Sequence, residues 1–91
     1  MNPRKTSYVV EIHQLQQPYR NADSLQKATR LLSYEAANPF GAFQIGQTLS
    51  QTRPTKYLGT IQHIHHWVGE DEDDTGLVHR TILYVFNAPQ S

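Results

Sequence analysis

Asp23-Ser24-Leu25-Gln26-Lys27-Ala28-Thr29-Arg30-Leu31-Leu32-Ser33-Tyr34-Glu35-Ala36-Ala37 is the stretch on which the fold class turns. Leu25, Ala28, Leu31 or Leu32, and Ala36 recur at three- and four-residue intervals, while Gln26, Lys27, Arg30, Ser33 and Glu35 fall on the other side. That spacing predicts one amphipathic helix from about Asp23 to Ala37. Asp23 and Gln26 are spaced as a capping box, and Asn38-Pro39 forms the stop.

Working outward, Ser7 to Leu15 is rich in β-branched and aromatic residues and puts Tyr8, Val10 and Ile12 on one face, so it reads as a strand that ends before Pro18. After the helix, Phe40 to Leu49 alternates Phe43, Ile45, Gln47 and Leu49 against polar residues and glycine, and reads as a second strand. Two longer apolar runs, Lys56 to Val68 and Leu77 to Phe86, flank the acidic tip Glu70, Asp71, Glu72, Asp73 and Asp74 and read as a long C-terminal β-hairpin. The expected fold is α+β: a four-stranded, mostly antiparallel sheet with one amphipathic helix packed on one face, in the order β-α-β-β-β. Residues 6–88 are expected to form one domain between flexible ends at 1–5 and 89–91.

Composition narrows the function. The 91 residues contain no cysteine, which removes disulfides, thiolate metal sites and cysteine nucleophiles together. No apolar run is long enough to span a bilayer and no signal-peptide core follows the first residues, so a cytoplasmic protein without membrane contact is expected. Net charge is zero, but five of the eight acids lie between Glu70 and Asp74, leaving a body with eight basic and three acidic residues. The basic residues are dispersed, and the acidic run reads as a solvated tip that protects the sheet or meets a basic surface.

One helix covers one face of a sheet, and a symmetric hairpin turn would pair Val68 with Leu77 and His66 with His79. One face then holds Ile61, Trp67, Ile82 and Tyr84 with His63 and His65. The other holds Leu58, Ile64, Val68, Leu77, Leu83 and Val85 with His66 and His79. Both are apolar, so the face without the helix is expected to be an interaction surface, in a homodimer or against another protein. The leading expectation is therefore a non-enzymatic protein–protein interaction module without a cofactor.

Two other chemistries are consistent with the residues. His63 and His65 point to one face of a strand about 6 to 7 Å apart, a separation from which two imidazoles reach one metal. The string also resembles the start of the first cupin metal motif. However, Gly59 lies too close to His63, and Leu77 to Ser91 holds no second motif, so no cupin is assigned. The tip meets the EF-hand pattern at Asp71, Asp73 and Gly76, but Ile82 stands where the bidentate glutamate is required. Finally, Tyr8, Phe43, Tyr57, Trp67, Tyr84 and Phe86 on strands are candidates for stacking nucleic-acid bases. No Gly-x-Ser-x-Gly elbow or phosphate-binding glycine loop is present, which disfavours catalysis.

Overall fold

The computed structural model describes residues 5–70 and 76–87. Its elements are β1 (Lys5–Gln14), α1 (Ala22–Gln26), β2 (Thr29–Ala36), β3 (Thr48–Gln51), β4 (Lys56–Glu70) and β5 (Gly76–Phe86). The strands form one five-stranded mixed sheet in the order β2-β1-β5-β4-β3, in which β1 and β5 run parallel and the other neighbours antiparallel. The central parallel pair is covered on both faces. Ile82, Leu83, Tyr84 and Val85 of β5 are accordingly buried in succession, the continuous apolar run expected of a strand with no solvent face.

This corrects the expected four-stranded α+β fold, and the error lies at residues 23–37. Only a five-residue helix forms there, capped by Asn21 rather than Asp23: the Asn21 side chain accepts from the Asp23 N–H, and Ser24 Oγ accepts from the Asn21 N–H. Residues 29–36 are instead strand β2, paired with β1 from Tyr8↔Ala36 to Gln14↔Thr29. Leu31 is the additional residue where the register shifts between Ile12 and His13. The bulge explains how two adjacent leucines mimicked a helical stripe: Leu32, Tyr34 and Ala36 alternate with Ser33 and Glu35, and Leu31 falls outside the alternation. Without β2, β1 would carry buried Val10 and Ile12 on an open edge, so strand pairing overrides local helical spacing.

The expected strand over 40–49 is likewise corrected. Residues 37–47 form no strand; they cross the sheet, and only Thr48–Gln51 pairs with β4. Phe40 and Phe43 of the crossing pack against a core of Val10, Ile12, Leu58, Ile61, Leu83 and Val85. We call this the back face. On the front face a smaller cluster of Leu15, Ile82 and Tyr84 is covered by Tyr19, Leu25 and Ala28 from the β1–β2 connection that carries α1. Both apolar faces near the centre of the sheet are thus covered by the chain itself.

The β4–β5 hairpin pairs Glu70 with Leu77, Val68 with His79, and His66 with Thr81, two residues away from a symmetric turn. A second register shift between Ile61 and His63 leaves Gln62 as the extra residue and moves Ile61 onto the back face beside Val85, not onto the His63 face as the symmetric turn implied. Among the described residues no helix is long and apolar enough to cross a membrane. The radius of gyration is 14.8 Å, against about 12 Å for a compact chain of this length, because the hairpin end of the sheet extends beyond its covering segments.

Candidate functional site

Two strands position the candidate side chains. Past Gln62, β4 alternates cleanly: His63, His65 and Trp67 stand on the front face, and Ile64, His66 and Val68 on the back. The bulge that sets this parity is fixed from a distance, since the Gln62 side-chain oxygen accepts the Tyr19 backbone N–H at 2.6 Å. The same contact lays Tyr19 flat on His63, with ring centroids 4.7 Å apart. His65 stacks on Trp67, also at 4.7 Å, so the front of β4 carries two stacked pairs in a row.

The metal reading of His63 and His65 meets this arrangement directly. The rings are on one face, as their spacing predicts, with centroids 6.5 Å apart and planes tilted by 54°. Each is stacked on a different aromatic partner, and chelating one ion would require both stacks to rearrange. Among the described residues no group of three histidines or carboxylates is arranged to hold a metal.

A charged cluster lies beside the stacks. Glu11 is buried at 7 % exposure and is held between His13 Nε2 at 2.9 Å and Arg80 Nε at 3.3 Å. The grouping of Glu11 with His13 and Arg80 was not read from the sequence, although an acid among Val9, Val10 and Ile12 at a strand centre calls for a compensating cation. His13 in turn packs edge-on against Tyr84. Burial, and next the Glu11 carboxylate, push the Tyr84 phenol above its ordinary value of 10.0. The folded state therefore favours the neutral phenol: its contribution is complete below about pH 10 and is lost as pH rises through the raised folded value. Tyr84→Phe is expected to lose less stability than the wild type as pH rises above about 10, measured by urea denaturation at each pH.

On the back face the expected interaction residues separate into two groups. Leu58, Leu83 and Val85 are at 3 %, 0 % and 0 % exposure inside the core of one chain, and Ile64 is half-buried against them. His66, Val68 and Leu77 are exposed and His79 is half-buried, all toward the hairpin end, where His66 and His79 line a cleft together with the covering residues 39–43. Glu70 is exposed at the end of β4, while Asp71, Glu72, Asp73 and Asp74 of the acidic tip lie outside the described residues.

The aromatic residues considered for base stacking do not gather into one platform. Phe43 packs on the back core and Phe86 on the front cluster, and Tyr84 is buried. Tyr8 meets His79 edge-on, and the Tyr57 hydroxyl lies 3.3 Å from that of Thr60 at the opposite end of β4 from Trp67.

The open edge of β4 could not be read from the sequence. β3 covers β4 only over residues 56–60, and the Ile61 N–H and C=O bond to Gln47 and Gly46. Beyond that point, residues 63–69 have β5 on one side and, among the described residues, no strand on the other. Comparison with protein-family models, curated proteins and solved structures finds no match.

Proposed function

We propose that the chain is a non-catalytic self-association module in which two copies join the 63–69 edges of β4, antiparallel, into one continuous sheet. The observation that carries this reading is the seven-residue edge that no strand covers among the described residues, a row of backbone donors and acceptors suited to strand addition. An antiparallel pair of identical strands is two-fold symmetric, so it closes as a dimer.

The side chains support the same edge over the other one. β2 is also an outer strand, but it carries exposed Arg30 and Glu35 and the bulge at Leu31, features that discourage strand addition. Residues 63–69 contain no lysine, arginine, acid or proline. They expose Trp67 at 57 % and Val68 at 74 %, one on each face, where a second strand would cover them. The site thus differs from a homodimer built on an uncovered sheet face, since the chain's own segments occupy the centre of both faces.

The test is sedimentation equilibrium of the wild type and of a Trp67→Lys/Val68→Lys variant, with far-UV circular dichroism as a check of folding. Both positions are exposed, so the variant is expected to fold with little loss of stability. A wild-type dimer that weakens about tenfold or more in the variant is the expected result, from two lysines placed on the joining edge. A wild type monomeric at about 100 μM, a concentration at which even a weak specific interface associates, overturns the proposal.

A further inference from the structure

His66 and His79 are not opposite each other but diagonal across the hairpin, since His66 pairs with Thr81 and Val68 with His79. The two imidazoles lean together nonetheless, with His66 Nδ1 and His79 Nε2 2.9 Å apart. Thr81 Oγ1 lies 3.2 Å from the first nitrogen and 3.5 Å from the second. Three heteroatoms on two adjacent strands therefore converge on one point of the back face, next to a cleft of about 180 Å³ lined in part by Tyr8, Phe40, Phe43 and Ile64. Tyr8 rests edge-on against the His79 ring at a centroid distance of 6.0 Å.

We infer that His66 and His79 form a two-imidazole chelate for a divalent transition ion of square-planar preference, the class of Cu(II) and Ni(II). Two nitrogens in neighbouring corners of a square, each about 2.0 Å from the ion, stand about 2.8 Å apart, whereas a tetrahedral ion needs about 3.3 Å. The two nitrogens now stand 2.9 Å apart, held by the hydrogen bond between the rings, and from there the square needs a smaller movement than the tetrahedron. As the ion enters, the proton shared between the rings passes to the distal nitrogen of the ring that carried it, His66 Nε2 or His79 Nδ1, so both imidazoles stay neutral and each presents a lone pair to the ion. Thr81 supplies a neutral oxygen on the same side, and the remaining positions stay open to water or a small ligand. The His63 and His65 rings stand farther apart, 6.5 Å between centroids against 5.1 Å for His66 and His79, and each is stacked on its own aromatic neighbour. The chelate is complete within one chain and does not depend on self-association.

The experiment is calorimetric titration of the whole chain with Cu(II) in a non-coordinating buffer, alongside nuclear magnetic resonance spectra at substoichiometric Cu(II). One ion per chain is expected, with paramagnetic broadening that begins at the amides of His66, His79 and Thr81. His66→Ala and His79→Ala should each weaken binding roughly 100-fold, since the second imidazole acts at a high effective concentration once the first is bound. His63→Ala/His65→Ala should leave binding unchanged. The inference is overturned if the His66→Ala/His79→Ala variant binds as the wild type does, or if broadening begins at His63 and His65. The broadening pattern needs no substitution, so it decides the question even where a variant folds poorly.

Discussion

Val85→Asp is expected to abolish the folded state, whereas Val68→Asp on the same apolar-looking hairpin is expected to leave it intact. Val85 is at 0 % exposure, paired with Ile61 across the β4–β5 ladder and enclosed by the back-face core under Phe40 and Phe43. A carboxylate there has no cation within that core, and burying an unpaired charge costs several kcal/mol even after relaxation, about 5 or more. A chain of this size has roughly 5 to 14 kcal/mol of stability, and the substitution also removes the packing of the valine. Val68 is 74 % exposed, and a change there should cost less than about 0.5 kcal/mol. Urea denaturation followed by circular dichroism, at a protein concentration low enough to keep the chain monomeric, separates the two: no cooperative transition for Val85→Asp and a nearly unshifted midpoint for Val68→Asp. A cooperative Val85→Asp transition near the wild-type midpoint would show that the back face is accessible. The comparison also bears on function, because a charge at Leu83 or Val85 tests folding, and only positions such as Trp67 and Val68 test association.

The strands at Ser7 to Leu15 and on either side of the acidic tip were legible because their apolar residues are dense, β-branched and bounded by proline or acidic turns. What the sequence concealed was decided by contacts distant in the chain. The segment from Asp23 to Ala37 satisfies a helical stripe and, with one bulge at Leu31, a strand alternation equally well, and the choice is made by the need of β1 for a neighbour. The Gln62 bulge carries no glycine or proline to announce it. It is fixed by Tyr19, 43 residues earlier, and it alone sends Ile61 to the back face. The histidines were legible as candidates by spacing, but their roles were not. Stacking engages His63 and His65, while a two-residue difference in register makes His66 and His79 a diagonal pair whose nitrogens converge. The open edge depends on β3 being four residues long, a boundary that alternation from Phe40 to Leu49 placed elsewhere.

Gly59→Ala is expected to destabilise the chain by about 3 kcal/mol or more, although it adds a single methyl group. Gly59 is buried in β4, opposite Leu49 of β3, at the point where that ladder shifts register between Leu49 and Ser50. Its φ is +139°, a region that L-residues with a side chain rarely adopt. An added Cβ would also stand 2.8 Å from the Phe86 carbonyl oxygen and 2.9 Å from its carbon, and these are backbone atoms of the central strand pair that cannot turn aside. Strain and collision act together, so the alanine can be accommodated only by moving β4 away from β5 at the edge of the core that holds Leu58 and Ile61. Gly41→Ala is the control, because that position has nothing within 4 Å of an added Cβ, and its change should stay within about 0.5 kcal/mol. With a urea m-value near 1 kcal/mol/M for a chain this small, the Gly59→Ala midpoint should fall by about 2.5 M or more relative to Gly41→Ala. Equal midpoints for the two variants would mean that β4 and β5 do not approach each other at Gly59 and Phe86. The bulge-set register that carries both the open edge and the His66–His79 pair would then be wrong.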